Sequence, residues 1–280
     1  MGNPMSDVRP AAVAGMFYPG APAALAAEVR AHLARALAQP AGASAVPKAV
    51  IAPHAGYVYS GPIAASAYAR LAAGRDTIRR VVLFGPTHRV PVRGLALPSV
   101  RAFATPLGTV SVDREAAAAA LALPQVCESD AAHAFEHSLE VQLPFLQAVL
   151  GEFSIVPFAV GDATPGEVAE VIGLLWGGPE TVIVVSSDLS HYHRYAEARA
   201  IDRATGEAIL ALSATLDHEQ ACGATPINGL LLAARRHGLQ AELLDLRNSG
   251  DTAGDKSRVV GYASFAFSEH AEGSVKAARE

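Results

Sequence analysis

Three apolar runs, each followed at once by a polar segment that carries a histidine, stand out in the pattern of this chain. The runs cover residues 48–51, 81–84 and 182–185. Short apolar runs rich in β-branched residues are typical of strands buried on both faces of a parallel sheet. In open α/β sheets, ligands bind at the edge formed by the carboxyl ends of the strands. The polar segments after the three runs are therefore expected to carry the function.

The rest of the pattern alternates between helices and strands. Helices are predicted over residues 23–38, 61–71, 138–150, 165–175 and 195–212, after an N-cap at Asp113, and from an N-cap at Thr225 to about His237. Further strands are predicted near residues 153–160, 241–247 and 258–267, with short strands or turns at 93–97 and 108–112. This alternation predicts one α/β domain over residues 8–268, a three-layer sandwich with a mostly parallel central sheet. Residues 1–7 and 269–280 are predicted to be disordered tails.

Composition narrows the class of protein. The chain has 280 residues, of which 51% are hydrophobic and 18% charged, as in a globular protein with a sizeable core. A net charge of −5 gives no basic surface for nucleic acid. With no apolar run of about 18 residues and no signal-peptide pattern, we expect no membrane association. Two cysteines do not make a disulfide scaffold, which favours the reducing cytoplasm.

Two histidines and one cysteine are candidate metal ligands. His54 and His88 each follow a predicted strand, whose rigidity would fix the position of the imidazole, although each could instead hydrogen-bond to a neighbouring turn. Cys222 precedes a predicted helix, whose positive end would lower the pKa of the thiol and favour the ligating thiolate. The alternative for Cys222 is a small buried apolar residue. Cys127 has no such context and is interpreted as structural.

Asp188 and His191 lie in the turn that leaves the third strand. A carboxylate beside an imidazole can fix its tautomer and raise its basicity. We therefore expect His191 to act as a general acid or base, oriented by Asp188. His193 could compete for that role.

Two hydrolase motifs are weaker alternatives. Residues 133–137 fit the H-x-x-E-H pattern of inverted zinc peptidases, in which His133 and His137 would bind zinc and Glu136 would activate water. The helical pattern begins only after Ser138, however, which favours a helix cap over a metal-bearing helix. Serines near Asp188 and His191 also permit a serine hydrolase, but the chain lacks a G-x-S-x-G motif.

In combination, these segments resemble the Memo family, whose bacterial and archaeal members are called AmmeMemoRadiSam system protein B. The resemblance extends from Val8 to Tyr262. It rests on the motifs Ala-Pro-His-Ala-Gly-Tyr at 52–57, Gly-Pro-Thr-His at 85–88, Glu-His-Ser-Leu-Glu at 136–140, Ser-Ser-Asp-Leu-Ser-His at 186–191, Cys-Gly at 222–223 followed by Pro226-Ile227, and Ser-Gly-Asp at 249–251.

The resemblance implies a fold like that of the class III extradiol dioxygenases, which bind iron(II) through two histidines and a glutamate. By resemblance, His54 and His88 fill the histidine positions and Cys222 stands at the carboxylate position. His191 matches the acid/base histidine, and Asp188 lies in the same pocket. A thiolate in place of a carboxylate argues against catechol cleavage and also suits copper or zinc. Three further residues are expected to line the pocket: His137, Tyr57 and Tyr192.

The expected function is therefore that of a metal-binding redox protein or a non-haem iron or copper oxidoreductase-like enzyme. We expect one metal ion, with iron(II) favoured, and a small-molecule or peptide ligand. The alternatives are a non-catalytic module that recognises a peptide or partner protein in the same pocket and, more weakly, a zinc-dependent hydrolase. The family resemblance implies a radical S-adenosylmethionine (radical SAM) protein and an AMMECR-type protein as partners.

Overall fold

A single twelve-stranded sheet runs through the protein in a computed structural model that describes residues 7–38 and 45–269. The strands are β1 (Val8–Arg9), β2 (Ala49–Ala52), β3 (Arg80–Pro86), β4 (Leu95–Leu97), β5 (Ala102–Thr105), β6 (Gly108–Val112), β7 (Val126–Glu128), β8 (Ser154–Val160), β9 (Thr181–Ser186), β10 (His191–His193), β11 (Leu239–Asn248) and β12 (Val259–Glu269). The α-helices are α1 (Pro22–Leu37), α2 (Tyr57–Ala69), α3 (Arg114–Ala120), α4 (Asp130–Ala134), α5 (Leu143–Val149), α6 (Pro165–Leu174), α7 (Tyr195–Leu210), α8 (Ala224–Arg236) and α9 (Ser249–Thr252). Two 3₁₀ turns cover Ala72–Gly74 and Glu140–Gln142.

The sheet is mixed, with a parallel centre. The main strand order is β1-β5-β6-β8-β3-β9-β2-β12-β10, while β11 pairs with β12, β4 with β8, and β7 with β4. Neighbours from β6 to β2 are parallel. Antiparallel pairs flank this centre, among them β12 with β2 and β5 with β6. The α/β class is therefore confirmed, but the sheet as a whole is mixed rather than mostly parallel, with parallel pairs in the centre and also between β1 and β5 and between β4 and β7.

Alternate residues of the central strands pack into two separate cores. Val81 and Leu83 of β3 face a core that includes α1, α2 and α5. Val82 and Phe84 of the same strand face a second core built with α3, α6 and α8. A strand covered by helices on both faces needs apolar residues at every position. This explains why the predicted strands are continuous apolar runs.

Several element boundaries differ from the predictions. Helix α2 begins at Tyr57, so that Pro62 lies inside it; Tyr57 N–H donates to the carbonyl of Phe17, 2.7 Å away. Helix α5 begins only at Leu143, after the 3₁₀ turn over Glu140–Gln142. Gly223, rather than Thr225, is the N-cap of α8.

Each of the two predicted tails contains one residue that the structure describes, Asp7 in the first and Glu269 in the second. The carbonyl of Asp7 accepts a hydrogen bond from the backbone N–H of Arg101, and Glu269 pairs with Leu239 at the end of β12. Both residues are therefore part of the fold. Residues 1–6 and 270–280, the rest of the predicted tails, lie outside the described residues.

Within the described ranges, no helix combines the length and apolar character needed to cross a bilayer.

Candidate metal centre

His54, His88 and Cys222 meet at one edge of the sheet. Strands β2 and β3 both neighbour β9 in the parallel centre, so the loops that follow β2 and β3 leave from the same edge. His54 and His88 lie in these loops, and Cys222 lies just before α8. One ring nitrogen of each histidine and the sulfur of Cys222 lie within 4.8 Å of one another. Three donor atoms at this separation can hold one metal ion.

His54 is buried and fixed on two sides. Its backbone N–H donates to Oδ1 of Asp188 at 2.7 Å, and its Nδ1 lies 2.9 Å from Oγ of Ser186. Its Nε2 points to Cys222, 3.4 Å from the sulfur. Burial, reinforced by the nearby His88, lowers the pKa of His54 to about 3. The ring is therefore neutral near pH 7, which is the form that binds metals.

Glu136 holds His88. Its Oε1 accepts from His88 Nδ1 at 2.9 Å and its Oε2 from the His88 backbone N–H at 2.6 Å. Oε1 also accepts from the backbone N–H groups of His137 and Ser138. Burial alone would raise the pKa of Glu136, but the contacts with His88 and the backbone N–H donors lower it to about 2. The ionised carboxylate therefore fixes His88 by its Nδ1–H, which leaves Nε2 as the ring nitrogen that could bind a ligand.

Cys222 is a protonated thiol in the metal-free protein, contrary to the prediction from its helix position. Burial, together with the charge of Asp188, raises the pKa of Cys222 to about 12. The positive end of α8 does not offset these effects. A metal ion that binds here would have to displace the thiol proton, which makes metal binding pH-dependent.

We expect Cys127 to be alkylated well before Cys222 in the metal-free protein at neutral pH. Cys127 is exposed, contrary to its interpretation as structural, whereas Cys222 is partly buried with a raised pKa. Because the thiolate is the reactive form, Cys222 should react slowly. Timed iodoacetamide labelling with peptide mass spectrometry measures the order. Faster labelling of Cys222 would contradict the geometry described here.

A cleft of about 660 Å³ opens beside the three donors. His191 and Tyr192, both on β10, line it together with His137 and Asp188. Tyr57 does not line the cleft: the start of α2 turns its ring inward, where it is buried and its hydroxyl donates to the carbonyl of Val141. The wider lining consists of Phe17, His54, Ala55, Gly56, Tyr59, His88, Ser249, Gly254, Asp255, Arg258, Val260 and Tyr262.

Asp188 supports His54 more directly than His191. Its hydrogen bonds go to backbone N–H groups of His54 and Ala55, and within the described ranges none joins it to the His191 ring. Burial raises the pKa of Asp188. Asp188 and His191 interact electrostatically without a hydrogen bond between them in the described part of the chain, so the orientation of His191 by Asp188 stays a prediction. His193 lies 3.2 Å from Glu197 and does not line the cleft.

The H-x-x-E-H motif is not assembled as a zinc site. Helix α4 ends at Ala134, so Glu136 and His137 lie beyond the helix that carries His133. His133 is buried, and its Nε2 lies 2.9 Å from the carbonyl of Ala96. Only Glu136 and His137 reach the centre, where their side chains form a second possible ligand group with His88. The zinc-hydrolase alternative thus loses one of its histidines.

Replacing His133 by Gln should leave metal binding unchanged. Its ring lies outside both possible ligand groups, and an amide can still reach the Ala96 carbonyl. Metal content after anaerobic reconstitution, measured on the folded fraction, checks this. Loss of the metal from His133→Gln alone would restore the peptidase interpretation.

The serine-hydrolase alternative also lacks its geometry. The hydroxyl of Ser186 donates to the carbonyl of Ser138, and the hydroxyl of Ser187 donates to the carbonyl of Asp188. Neither hydrogen bond goes to His191. Neither serine therefore forms a nucleophile–base pair with His191, and the hydroxyl hydrogen of Ser186 goes to Ser138 rather than to the nearby His54.

Taken together, the fold and the site define an α/β protein with a candidate two-histidine, one-cysteine metal centre. A family model described as Memo-like protein matches residues 9–266. A MEMO1 family protein of Methanopyrus kandleri is 38% identical, over 92% of this chain and 98% of its own length. Another, of Sulfolobus acidocaldarius, is 35% identical over 94% of this chain and 100% of its own length. The chain belongs to the Memo family, as its motifs predicted.

Proposed function

We propose that this protein binds one metal ion through His54 Nε2, His88 Nε2 and the Cys222 sulfur, and that it is a redox protein or oxidoreductase-like enzyme. The observation that carries the proposal is the convergence of the three donor atoms within 4.8 Å. Membership of the Memo family over residues 9–266 is consistent with it. Likeness to the class III extradiol dioxygenases and the name AmmeMemoRadiSam system protein B remain part of the proposal.

The residues present fit a metal ion. Ser186 and Glu136 occupy the Nδ1 sides of His54 and His88, so that both Nε2 atoms are available to a ligand. The Glu136 oxygens are already used by the His88 ring and three backbone N–H groups, so this residue acts as a support rather than a ligand. Two imidazoles with one thiolate suit iron(II), copper or zinc. We favour iron(II), because the family resemblance points to it.

The surrounding residues would handle the substrate. A bound iron or copper ion would supply one-electron chemistry and open positions for a small ligand. His191 lines the cleft, where it can donate a proton to a bound molecule or accept one from it. Phe17, Tyr59 and Tyr262 give the same cleft an aromatic wall, which suits a small organic substrate. A radical SAM protein and an AMMECR-type protein are proposed partners, and the cytoplasm is the proposed location.

A binding module is the second candidate. Tyr59 and Tyr192 line the cleft, yet they are 39% and 63% exposed, as is usual for rings that contact a partner. Tyr192 also has a φ of 63°, in the left-handed region that few non-glycine residues adopt. In this alternative the cleft recognises a peptide without turnover.

The test is metal analysis of protein purified anaerobically without a chelating tag, followed by oxygen-uptake assays with phenols. We expect close to one metal ion per chain and metal-dependent oxygen uptake with some substrates. Brisk extradiol cleavage of a simple catechol would show that the cysteine does not exclude that reaction. Protein that binds no iron, copper or zinc would contradict the proposal and favour the binding module.

The metal-free protein should lose stability as the pH falls from 6.5 to 4.5. Burial lowers the pKa of His54 to about 3 and those of His133 and His137 to about 4. In this window the unfolded chain binds more protons than the folded chain, so acid favours unfolding. The raised pKa values of Asp188 and Asp202 act in the opposite direction, but these are two groups against the three histidines. Urea titrations at both pH values should differ by on the order of a few kcal/mol. Equal or greater stability at pH 4.5 would contradict the expectation.

A further inference from the structure

The buried hydroxyl of Ser186 touches three polar groups at once. Ser186 ends β9 and is fully buried. Its Oγ lies 2.9 Å from Nδ1 of His54, 2.7 Å from Nε2 of Gln142 and 2.6 Å from the carbonyl oxygen of Ser138. A serine hydroxyl has one hydrogen to donate and two lone pairs that accept. The three contacts therefore use its whole capacity, and the role of each partner can be assigned.

Two backbone carbonyls fix the direction of every hydrogen bond in this group. The Ser138 carbonyl can only accept, so it takes the hydroxyl hydrogen of Ser186. The carbonyl of Pro53 also only accepts, so the Gln142 side-chain atom 3.0 Å from it is the amide nitrogen. The same nitrogen donates its other hydrogen to Ser186, while the Tyr68 hydroxyl donates to the amide oxygen. The second lone pair of the Ser186 hydroxyl is then left to accept the third hydrogen bond.

We propose that Ser186, supported by Gln142, is the positioning residue that sets the tautomer of His54. The hydroxyl accepts the hydrogen on Nδ1 of His54, so the neutral ring carries its hydrogen there. The lone pair of Nε2 then faces the sulfur of Cys222, 3.4 Å away. That this lone pair serves to bind a metal ion rests on the proposed function. The tautomer itself rests only on the hydrogen bonds of Ser186.

His54 and His88 thus reach the same tautomer by different means. The ionised Glu136 accepts a hydrogen bond from Nδ1–H of the more exposed His88. The neutral hydroxyl of Ser186 accepts one from Nδ1–H of the buried His54. A neutral acceptor adds no further charge to the interior beside Asp188. The accepting role of the Ser186 hydroxyl depends on its hydrogen bonds with Ser138 and Gln142. Without them the hydroxyl could rotate and donate to Nδ1 of His54 instead. The opposite tautomer would point an N–H at the metal position.

The test is a long-range ¹H–¹⁵N correlation spectrum of the metal-free protein labelled with ¹⁵N-histidine. The His54 signals are identified by their absence in His54→Asn. We expect the Nδ1–H tautomer in the natural sequence and a population of the Nε2–H tautomer in Ser186→Ala. Affinity for Zn²⁺ in Ser186→Ala should fall about 10- to 100-fold, as for other groups that orient metal ligands. Ser264→Ala, which removes another fully buried hydroxyl outside the cleft lining, should change neither result.

An Nε2–H signal for His54 in the natural sequence would overturn the inference, and this measurement needs no variant to fold. A Ser186→Ala protein with an unchanged tautomer and unchanged Zn²⁺ affinity would overturn it as well. Protein with the Nδ1–H tautomer that binds no metal would support the role of Ser186 in setting the tautomer while contradicting the proposed function.

Discussion

Alanine at His54, His88 or Cys222 is expected to lower metal affinity by at least about tenfold, and by more where the ligand is buried. Each substitution removes one of three donor atoms that lie within 4.8 Å of one another. Of the second possible ligand group, Glu136 is a poor replacement for the sulfur, because its oxygens are held by hydrogen bonds. Competition titration with a chromophoric chelator under nitrogen measures the change for iron(II) and Zn²⁺.

Cys127→Ala is the matched control for the cysteine, since it removes an exposed thiol outside both ligand groups. We expect its metal affinity to equal that of the natural sequence. Tight, stoichiometric metal retention in the double variant His54→Ala, Cys222→Ala would show that the ligands are elsewhere.

Replacing Arg9 by Met should lower the free energy of unfolding by about 3–5 kcal/mol, the cost of breaking a buried ion pair. Arg9 and Glu140 are 4% and 0% exposed, and their charged atoms lie 2.5 Å apart. Arg9 also donates to the backbone carbonyls of His133 and Glu136. Among the described residues, the substitution leaves the Glu140 carboxylate with the backbone N–H groups of residues 12 and 13 and the hydroxyl of residue 18 as its hydrogen-bond donors.

Urea unfolding measures this loss. Arg101→Met is the control, because the Arg101–Asp7 pair is exposed and such pairs contribute little. Since Arg9 holds the segment that carries Glu136, we also expect weaker metal binding in Arg9→Met protein that remains folded. Equal stability of the two variants would show that the buried pair does not anchor this segment.

The strands that form the site could be predicted from sequence because their signal is local. Continuous apolar runs identified β2, β3 and β9, and parallel pairing then places the loops after β2 and β3 at one edge. The mixed character of the sheet could not be predicted in the same way. It depends on which strands pair at the edges, and β12 lies beside β2 although more than 200 residues separate them.

The candidate ligands were predictable, but their environment was not. His54 and His88 follow strands and Cys222 precedes a helix, so each has a local signal. The support that Glu136 gives to His88 spans 48 positions in the sequence, and the motifs at 133–137 and 136–140 drew attention to Glu136 without indicating this contact. The pKa of Cys222 was predicted in the wrong direction because a helix end is visible in sequence, whereas burial and the nearby Asp188 are not.

Tyr57 shows a similar limit at short range. It is the last residue of the motif that carries His54, and it was expected to line the pocket. The hydrogen bond from its N–H to the carbonyl of Phe17 helps to set the start of α2, and the first turn carries its ring inward. Tyr59, two positions later, lines the cleft instead.

X-ray absorption spectroscopy of the Zn²⁺-loaded protein tests the central claim most directly. A site made of His54, His88 and Cys222 predicts one sulfur neighbour at about 2.3 Å and two histidine nitrogens at about 2.0–2.1 Å from the metal. In Cys222→Ser the sulfur neighbour should disappear while the nitrogens remain. A spectrum of the natural sequence without sulfur, or with sulfur retained in Cys222→Ser, would contradict the assignment of the metal centre.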